Sequence, residues 1–183
     1  MEYQQGTAMK LKSVMIPVLV LAAFGSSLAQ NTKLDGMVGK KMPAFSMTDR
    51  SGKKLSSATL SGKVVLLDFW ATWCGPCKAV MPVMQRLYSK YSGKGLVVVG
   101  VDVMEQGDPS TATANIIKQK GLTYPFARAD AFGKQLGISG IPVKILIDRK
   151  GVVRAVSHDL NAAGVKGEEA ALDAAIQKAL ASK

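Results

Sequence analysis

The only two cysteines of this 183-residue chain are separated by two residues, in the motif WCGPC at positions 73–77. An apolar run precedes the motif at 64–70, and a stretch with apolar residues at helical spacing follows it at 78–90. Two intervening residues let the first turn of a helix bring both sulfurs within bonding reach, because a disulfide needs Cα atoms only ~4.4–6.8 Å apart. The spacing therefore predicts a redox-active dithiol between a buried strand and a helix start.

The two cysteines are expected to have different roles. Cys74 is placed at the helix N-terminus, where unpaired N–H groups and the helix dipole favour a thiolate, so it is predicted to be the accessible nucleophile. Pro76 suits an early helical position because its φ is preset and it lacks a donor. Cys77 lies one turn deeper and is predicted to be the buried thiol that resolves the mixed disulfide.

Other uses of two thiols are less consistent with the spacing. A structural disulfide gains little from so short a loop, and structural zinc needs about four ligands, whereas the single histidine, His158, lies far downstream. Soft thiolates also suit Cu(I), but Met81 and Met84 are spaced as core residues of the helix. A Cu(I)-binding module and a disulfide-forming oxidant remain alternatives, and no resident metal is expected.

A single carboxylate interrupts the apolar run. Asp68 stands among residues typical of a strand buried on both faces, and a buried carboxylate is costly unless it has a partner or a function. We therefore predict that burial raises the pKa of Asp68, and that Asp68 either has a function or is a structural acid with satisfied hydrogen bonds.

The first 29 residues have the pattern of a secretory signal. Lys10 and Lys12 precede an eleven-residue apolar stretch at 14–24, and the small residues Ser27 and Ala29 favour cleavage before Gln30. The stretch is shorter than the ~20 residues of a membrane-spanning helix. The sequence thus predicts a cleaved signal at 1–29 and one exported, periplasmic domain at 30–183 that does not span a membrane.

The chain is strongly basic, with a formal charge of +11. Its lysine clusters are scattered and lack the aromatic neighbours typical of nucleic-acid binding. A solvated basic surface that favours acidic partners is the better interpretation.

The pattern along the chain predicts alternating strands and helices. Strands are expected near 45–48, 64–70, 96–103, 124–127, 143–147 and 152–157, and helices near 78–90, 110–120, 132–136 and after Gly167, with Glu168 and Glu169 at the N-terminus of the last helix. This order predicts an α/β protein with a mixed central sheet and helices on both faces.

With these residues in place, the chain resembles the thioredoxin superfamily and, within it, the exported TlpA/ResA-like thiol-disulfide oxidoreductases. The resemblance covers 37–183 and rests on the segment DFWATWCGPC at 68–77 and on Gly140-Ile141-Pro142. It implies a thioredoxin fold with an added N-terminal hairpin at 38–63 and a central insertion at 108–136.

The resemblance also implies roles for particular residues. Pro142 is expected to be a cis-proline packed against the dithiol, and the Ile141 backbone to pair with an extended substrate segment. Trp73, Gly75 and Pro76 would complete the substrate groove, with Trp73 covering the dithiol. Asp68 would pass protons to and from Cys77.

The implied activity is the reduction of protein disulfides by a monomer, with no organic cofactor. A membrane electron donor of the DsbD/CcdA type would recharge the dithiol, and apocytochrome c or a copper-site protein are the expected kinds of client.

The sequence departs from this family directly after the proline. Val143-Lys144 replaces the usual pair of small hydroxyl residues. Lys144 is expected on a strand beside that of Asp68, so a buried contact would alter proton relay at the dithiol. The alternative, that its long stem carries the ammonium to solvent, is slightly favoured.

Overall fold

The computed structural model describes residues 32–158 and 164–182. The predicted signal peptide lies outside the described residues. Two strands form an N-terminal hairpin and five form the central sheet. In chain order the elements are α1 (Thr32–Asp35), β1 (Ser46–Thr48), β2 (Lys54–Ser56), β3 (Val64–Trp70), α2 (Gly75–Tyr91), β4 (Leu96–Asp102), α3 (Ser110–Lys120), β5 (Phe126–Arg128), α4 (Asp130–Leu136), β6 (Val143–Ile147), β7 (Val153–His158) and α5 (Gly164–Ala181).

Strand β3 is the centre of the sheet, whose order is β5-β4-β3-β6-β7. All seven of its residues are buried, as expected for an apolar strand covered on both faces. It pairs in parallel with β4 and antiparallel with β6. The predicted mixed sheet is confirmed, and the dithiol motif follows directly from its central strand.

Two separate apolar clusters cover the faces of the sheet. One joins the cysteines and the buried face of α2 to α5 residues such as Leu172 and Ile176. The other joins the opposite side chains of the sheet to the hairpin, α1 and α4. Because side chains alternate across a strand, Leu66 and Trp70 of β3 face the cysteine cluster, and so does Asp68 between them.

The two additions implied by the family resemblance are present. Strands β1 and β2 pair antiparallel, and α3, β5 and α4 lie between β4 and β6. Strand β5 extends the sheet in parallel beside β4.

The start of the last helix was predicted wrongly. Helix α5 begins at Gly164, whose φ is 65°, so Gly167 lies inside the helix. Glu168 is consequently the fifth helical residue and is buried, with 1% of its surface exposed. A Gly-rich sequence suggested a later start, but packing of α5 on the sheet overrides that weak local preference.

Candidate active site

The dithiol lies at the start of α2, as the sequence predicted. Cys74 is the N-cap of the helix and is disulfide-bonded to Cys77 at a Cα separation of 5.4 Å. The backbone N–H of Cys77 donates to Cys74 Sγ at 3.2 Å. Gly75 and Pro76 form the exposed first turn. A sulfur at this position is aimed at unpaired helix N–H groups, which stabilise negative charge.

The predicted contrast in exposure refers to the two free thiols and stays a prediction, because the structure shows the disulfide form. Cys74 is 3% exposed and Cys77 is 1% exposed. The bond to the buried sulfur of Cys77 holds the Cys74 side chain against the core cluster below α2. The predicted accessibility of the Cys74 thiol therefore has to be measured in the reduced form.

Trp73 is the prominent exposed side chain at the site, with 57% of its surface accessible. Its Nε1 donates to the carbonyl oxygen of Met104 at 3.0 Å. Met104, in the loop after β4, is 39% exposed and has a φ of 60°, a left-handed conformation that is uncommon outside glycine. Its N–H donates to Asp130 Oδ1 at 2.8 Å. The two exposed apolar side chains thus belong to adjoining loops beside the dithiol.

The same two loops are joined by a carboxylate. Glu105 accepts a hydrogen bond from Thr72 Oγ1 at 2.9 Å and another from the Thr72 backbone N–H. The nearby Asp102 is buried at the end of β4. Burial raises its pKa to about 7, with a further contribution from Glu105. Sequence reasoning did not single out Glu105 or Asp102.

The Ile141–Pro142 peptide bond is cis, which confirms that expectation. Pro142 is buried and Ile141 is half-buried. Ile141 packs against both apolar clusters, including the one that holds the cysteines. The loop before β6 thus packs on the cluster that contains the cysteines, while its role in binding substrate stays a prediction.

Asp68 is buried, 1% exposed, on the face of β3 that meets the cysteine cluster. Burial raises its pKa to about 7; Lys144 lowers the pKa and Glu168 raises it. Its Oδ2 has no hydrogen-bond partner among the described residues. The predicted buried acid with a raised pKa is confirmed, and a proton on Asp68 is readily exchanged near neutral pH.

Lys144 does not extend to solvent, so the favoured interpretation was wrong. Its side chain is 0% exposed and its Nζ lies 3.3 Å from Glu168 Oε1. Asp68 and Lys144 are partners in the register of β3 and β6. Ser157 Oγ donates to the same Glu168 oxygen at 2.7 Å. Glu168, in contact with Lys144, and Asp68, its register partner, supply negative charge near the buried ammonium. The lysine stem therefore has less reason to extend to solvent.

Two further residues of this region were missed from the sequence. Glu168 was assigned to the N-terminus of the last helix. Its helical spacing from Leu172 and Ile176, which places all three on the buried stripe, is the signal that it is buried. Tyr124 stacks on Phe126 with ring centroids 4.5 Å apart. Burial, and secondarily Asp68, raises the pKa of Tyr124 well above its usual value.

The donor groups give no sign of a resident metal. Within 32–158 and 164–182, no group of three or more His, Cys, Asp or Glu residues could hold a metal ion. Across the same residues, none of the helices is both long and apolar enough to cross a bilayer.

Comparison with known proteins agrees with this geometry. The model of the Redoxin family matches residues 37–176. The thiol-disulfide oxidoreductase ResA of Bacillus thuringiensis subsp. konkukian is 38% identical over 145 residues, which cover 76% of this chain and 82% of the relative. ResA of Geobacillus thermodenitrificans is 33% identical over 161 residues, covering 85% and 89%. A putative thiol:disulfide interchange protein DsbE from Chlorobium tepidum has a similar structure, with a TM-score of 0.68 and 30% identity over 78% of this chain and 97% of its own.

A mixed sheet that leads into a dithiol at the N-terminus of a helix, together with a cis-proline before β6, defines a thiol-disulfide oxidoreductase of the thioredoxin fold. The chain belongs to the redoxin family and, within it, is ResA-like. Its substrates are accordingly molecules that contain disulfides.

Proposed function

We propose that this protein is an exported reductase of protein disulfides. The observation that carries the proposal is the position of Cys74 as the N-cap of α2, with the Cys77 N–H directed at its sulfur. That environment favours the thiolate, the form that attacks a disulfide. The Gly75-Pro76 dipeptide, which thioredoxin also has, favours the reducing direction.

The reaction proceeds in two exchange steps. The Cys74 thiolate attacks one sulfur of the client disulfide, forming a mixed disulfide and releasing the other client sulfur as a thiolate. Cys77 then loses its proton and attacks Cys74 Sγ, which forms the Cys74–Cys77 bond and breaks the bond to the client. Two electrons pass from the protein dithiol to the client, which leaves with two reduced sulfurs.

Asp68 is proposed to accept the Cys77 proton in the second step. Water is excluded at Cys77, so deprotonation needs a base on the buried side, and a pKa of about 7 suits a group that must gain and lose a proton near neutral pH. The groove for the client is assigned to Trp73, Gly75, Pro76, Ile141 and Pro142. A client segment would pair with the Ile141 backbone, as a strand adds to a sheet edge.

The cellular setting is part of the same proposal. A signal at 1–29 would export the chain to the periplasm, and a membrane electron donor of the DsbD/CcdA type would return the dithiol to its reduced state. The chemistry needs no organic cofactor, because the electrons are held by the cysteines. Apocytochrome c and copper-site proteins are the proposed kinds of client, and a monomer suffices for the reaction.

Trapping the mixed disulfide tests the order of attack. Cys77→Ser should accumulate disulfide-linked client, because the resolving thiol is gone, and Cys74→Ser serves as the matched control that forms none. The complexes are counted on non-reducing gels after reaction with a reporter protein that has one disulfide. Trapping by Cys74→Ser in place of Cys77→Ser would reverse the assignment.

The reduction potential tests the direction of transfer. Equilibration with glutathione, followed by Trp fluorescence, should give a value near the ~−270 mV of thioredoxin. A value near the ~−120 mV of a strong oxidant such as DsbA would make the protein a disulfide-forming oxidant on the same fold. Titration of the reduced protein with Cu(I) should show no tight binding; stoichiometric binding would favour the metal-binding alternative.

A further inference from the structure

Four residues of neighbouring strands form one row across the sheet beneath the dithiol. Gly100 of β4 is the register partner of Asp68, Asp68 is the partner of Lys144, and Lys144 is the partner of Ser157 on β7. Leu66 and Leu146, which flank Asp68 and Lys144, both belong to the cluster that contains the cysteines. The row therefore lies on the active-site face, and three of its four members are polar.

Helix α5 adds a second carboxylate to this row. Glu168 Oε1 lies 3.3 Å from Lys144 Nζ, with the two side chains 2% and 0% exposed. The hydroxyl of Ser157 donates to the same oxygen at 2.7 Å, which fixes the carboxylate over Lys144. A buried ion pair of this kind is a poor means of gaining stability, since desolvation of the charges offsets most of their attraction. Its position beside the proton acceptor of the reaction suggests another use.

We propose that Lys144 and Glu168 are positioning residues that act through Asp68, with opposite effects: the ammonium favours the Asp68 carboxylate, the Glu168 carboxylate opposes it, and together they set the pH at which Cys77 can resolve the mixed disulfide. The proposal rests on the proposed function, because it assigns to Asp68 the proton of Cys77. It adds that α5, through Glu168, influences when Asp68 can accept this proton. Helix α5 contributes no residue to the proposed client groove.

The groups that face Asp68 come from several elements. Lys144 is contributed by β6, Glu168 by α5, and α2 brings Cys77 to the same face of the sheet. The segment before β5 contributes Tyr124, which senses the charge of Asp68. Strand β4 contributes Gly100, which has no side chain to titrate. Lys144 is the one cation among these groups.

Distance orders the two effects. Lys144 is the register partner of Asp68 on the adjacent strand, whereas Glu168 comes from α5 and contacts Lys144, so the charge on the adjacent strand is expected to have the larger influence. Consistently, Lys144 lowers the pKa of Asp68 more than Glu168 raises it. Removing Lys144 should therefore move the resolving step to higher pH, and removing the Glu168 charge should move it to lower pH.

The resolving step can be isolated with Ellman's reagent. When reduced protein is in excess, Cys74 releases one thionitrobenzoate and Cys77 releases the second, so the second phase of absorbance reports on Cys77 alone. Its rate is measured from pH 5 to 9 for the wild type, Glu168→Gln, Lys144→Met, the double variant and Asp68→Asn. We expect the midpoint to fall by about half a pH unit in Glu168→Gln and to rise by at least as much in Lys144→Met. One unit below the wild-type midpoint, Glu168→Gln should resolve roughly threefold faster.

The chain offers a matched control one residue away. Glu169→Gln removes an exposed ion pair with Arg86 from the same helix, and it should leave the midpoint unchanged. A purely structural role for the buried pair would slow both variants without moving their midpoints in opposite directions. Far-UV circular dichroism of each variant verifies that the fold is retained.

The double variant keeps the test decisive where a single variant does not fold, because it leaves no uncompensated charge of the pair. Its midpoint should lie above that of the wild type and below that of Lys144→Met. The inference is overturned if the midpoints of Glu168→Gln and Lys144→Met equal that of the wild type, or if both shift in the same direction. If Asp68→Asn nevertheless removes the pH dependence, the proposed function stands. A normal pH profile in Asp68→Asn overturns both the inference and the role of Asp68.

Discussion

Asp68 is the residue at which stability and chemistry conflict. A carboxylate buried in the central strand is costly to ionise, yet a pKa of about 7 makes it useful as a proton acceptor near neutral pH. Its Oδ2 lacks a hydrogen-bond partner among the described residues. Buried polar atoms in folded proteins nearly always have such a partner, so this oxygen is unusual for a purely structural carboxylate. The fold retains this cost on the face of the sheet that meets the cysteine cluster, where the proposed function gives Asp68 its role.

Asp68→Asn should stabilise the oxidised protein at alkaline pH. The folded-state pKa of about 7 exceeds the ordinary aspartate value of 3.8, so the folded state binds the proton more tightly. Stability from this group is full below the unfolded pKa and declines as pH rises from about 4 to 7, by at most about 4 kcal/mol. Chemical denaturation at pH 8 should show Asp68→Asn to be about 2–4 kcal/mol more stable, with a difference near zero at pH 4.

The control for that measurement is Asp35→Asn, which removes a surface contact with His158 and should change stability by less than about 1 kcal/mol at either pH. An Asp68→Asn protein that is no more stable at pH 8 than the wild type would mean that Asp68 is satisfied within the fold. The disulfide must stay intact throughout, because the pKa refers to that state.

At the residue scale the sequence was informative wherever chemistry and local pattern coincided. The cysteine spacing and the lone acid in an apolar run identify Cys74, Cys77 and Asp68 directly. Lys144 and Glu168 were misassigned because each is buried only through the other, and they lie on different elements. Neither local propensity nor strand parity contains that tertiary information, so a lysine and a glutamate are each expected to be solvated when considered alone.

At the scale of elements, the loop that carries Trp73 depends on the loop after β4. Glu105 holds Thr72 through two hydrogen bonds, and the Met104 carbonyl holds the Trp73 indole. Loops need such anchors, because they lack the regular hydrogen bonds of strands and helices. The loop that carries Trp73 beside the dithiol is therefore held in place by the loop after β4.

Glu105→Ala should loosen this junction without unfolding the protein. A hydrogen bond to a charged group contributes about 1.5–3 kcal/mol, so the Thr72 amide should exchange its hydrogen at least about tenfold faster by NMR. Glu169→Gln, on α5, is the control and should leave that amide unaffected. Unchanged protection of Thr72 in Glu105→Ala would show that other contacts hold the loop.

The close contact between β4 and β5 depends on glycine at position 100, which has no Cβ. A Cβ on Gly100 would lie 2.4 and 2.5 Å from two atoms of the Phe126 ring, far inside normal contact. Gly100→Ala should therefore cost about 1–3 kcal/mol through overpacking, measured by urea denaturation. Gly93→Ala, where a Cβ meets nothing within 4 Å, is the control, and Phe126→Leu should partly rescue Gly100→Ala. Equal stability of the two alanine variants would contradict this account.

The elements themselves were largely predictable, for physical reasons. Strand β3 and helices α2 and α3 have strong periodicity and clear end signals, and the structure confirms them within a few residues. The start of α5 was missed, because glycines suggested a break that tertiary packing overrides. The pairing order of the strands was implied by the family resemblance and not by any local pattern.

At the scale of the whole molecule, one sheet separates two apolar clusters, and only one of them contains the chemistry. The cluster with the cysteines also includes the faces of α2 and α5, so the dithiol, Asp68 and Glu168 share one side. The hairpin and α4 cover the opposite face. Substitutions in the hairpin should therefore affect the free energy of unfolding more than proton transfer, because the sheet separates the hairpin from the dithiol and Asp68.

The net charge of the chain should influence which clients react fastest. The full sequence has a formal charge of +11, and a field of one sign raises the encounter rate with clients of the opposite sign. Two peptides with the same disulfide, one flanked by glutamates and one by lysines, test this against a neutral peptide. At ~10 mM ionic strength the acidic peptide should be reduced about tenfold faster than the basic one, because screening is weak there. The ratio should approach one at ~0.5 M salt, where the Debye length falls to a few ångströms. A preference that persists at high salt would instead indicate short-range contacts in the groove around Trp73, and a faster basic peptide would show that the local field at the dithiol opposes the net charge.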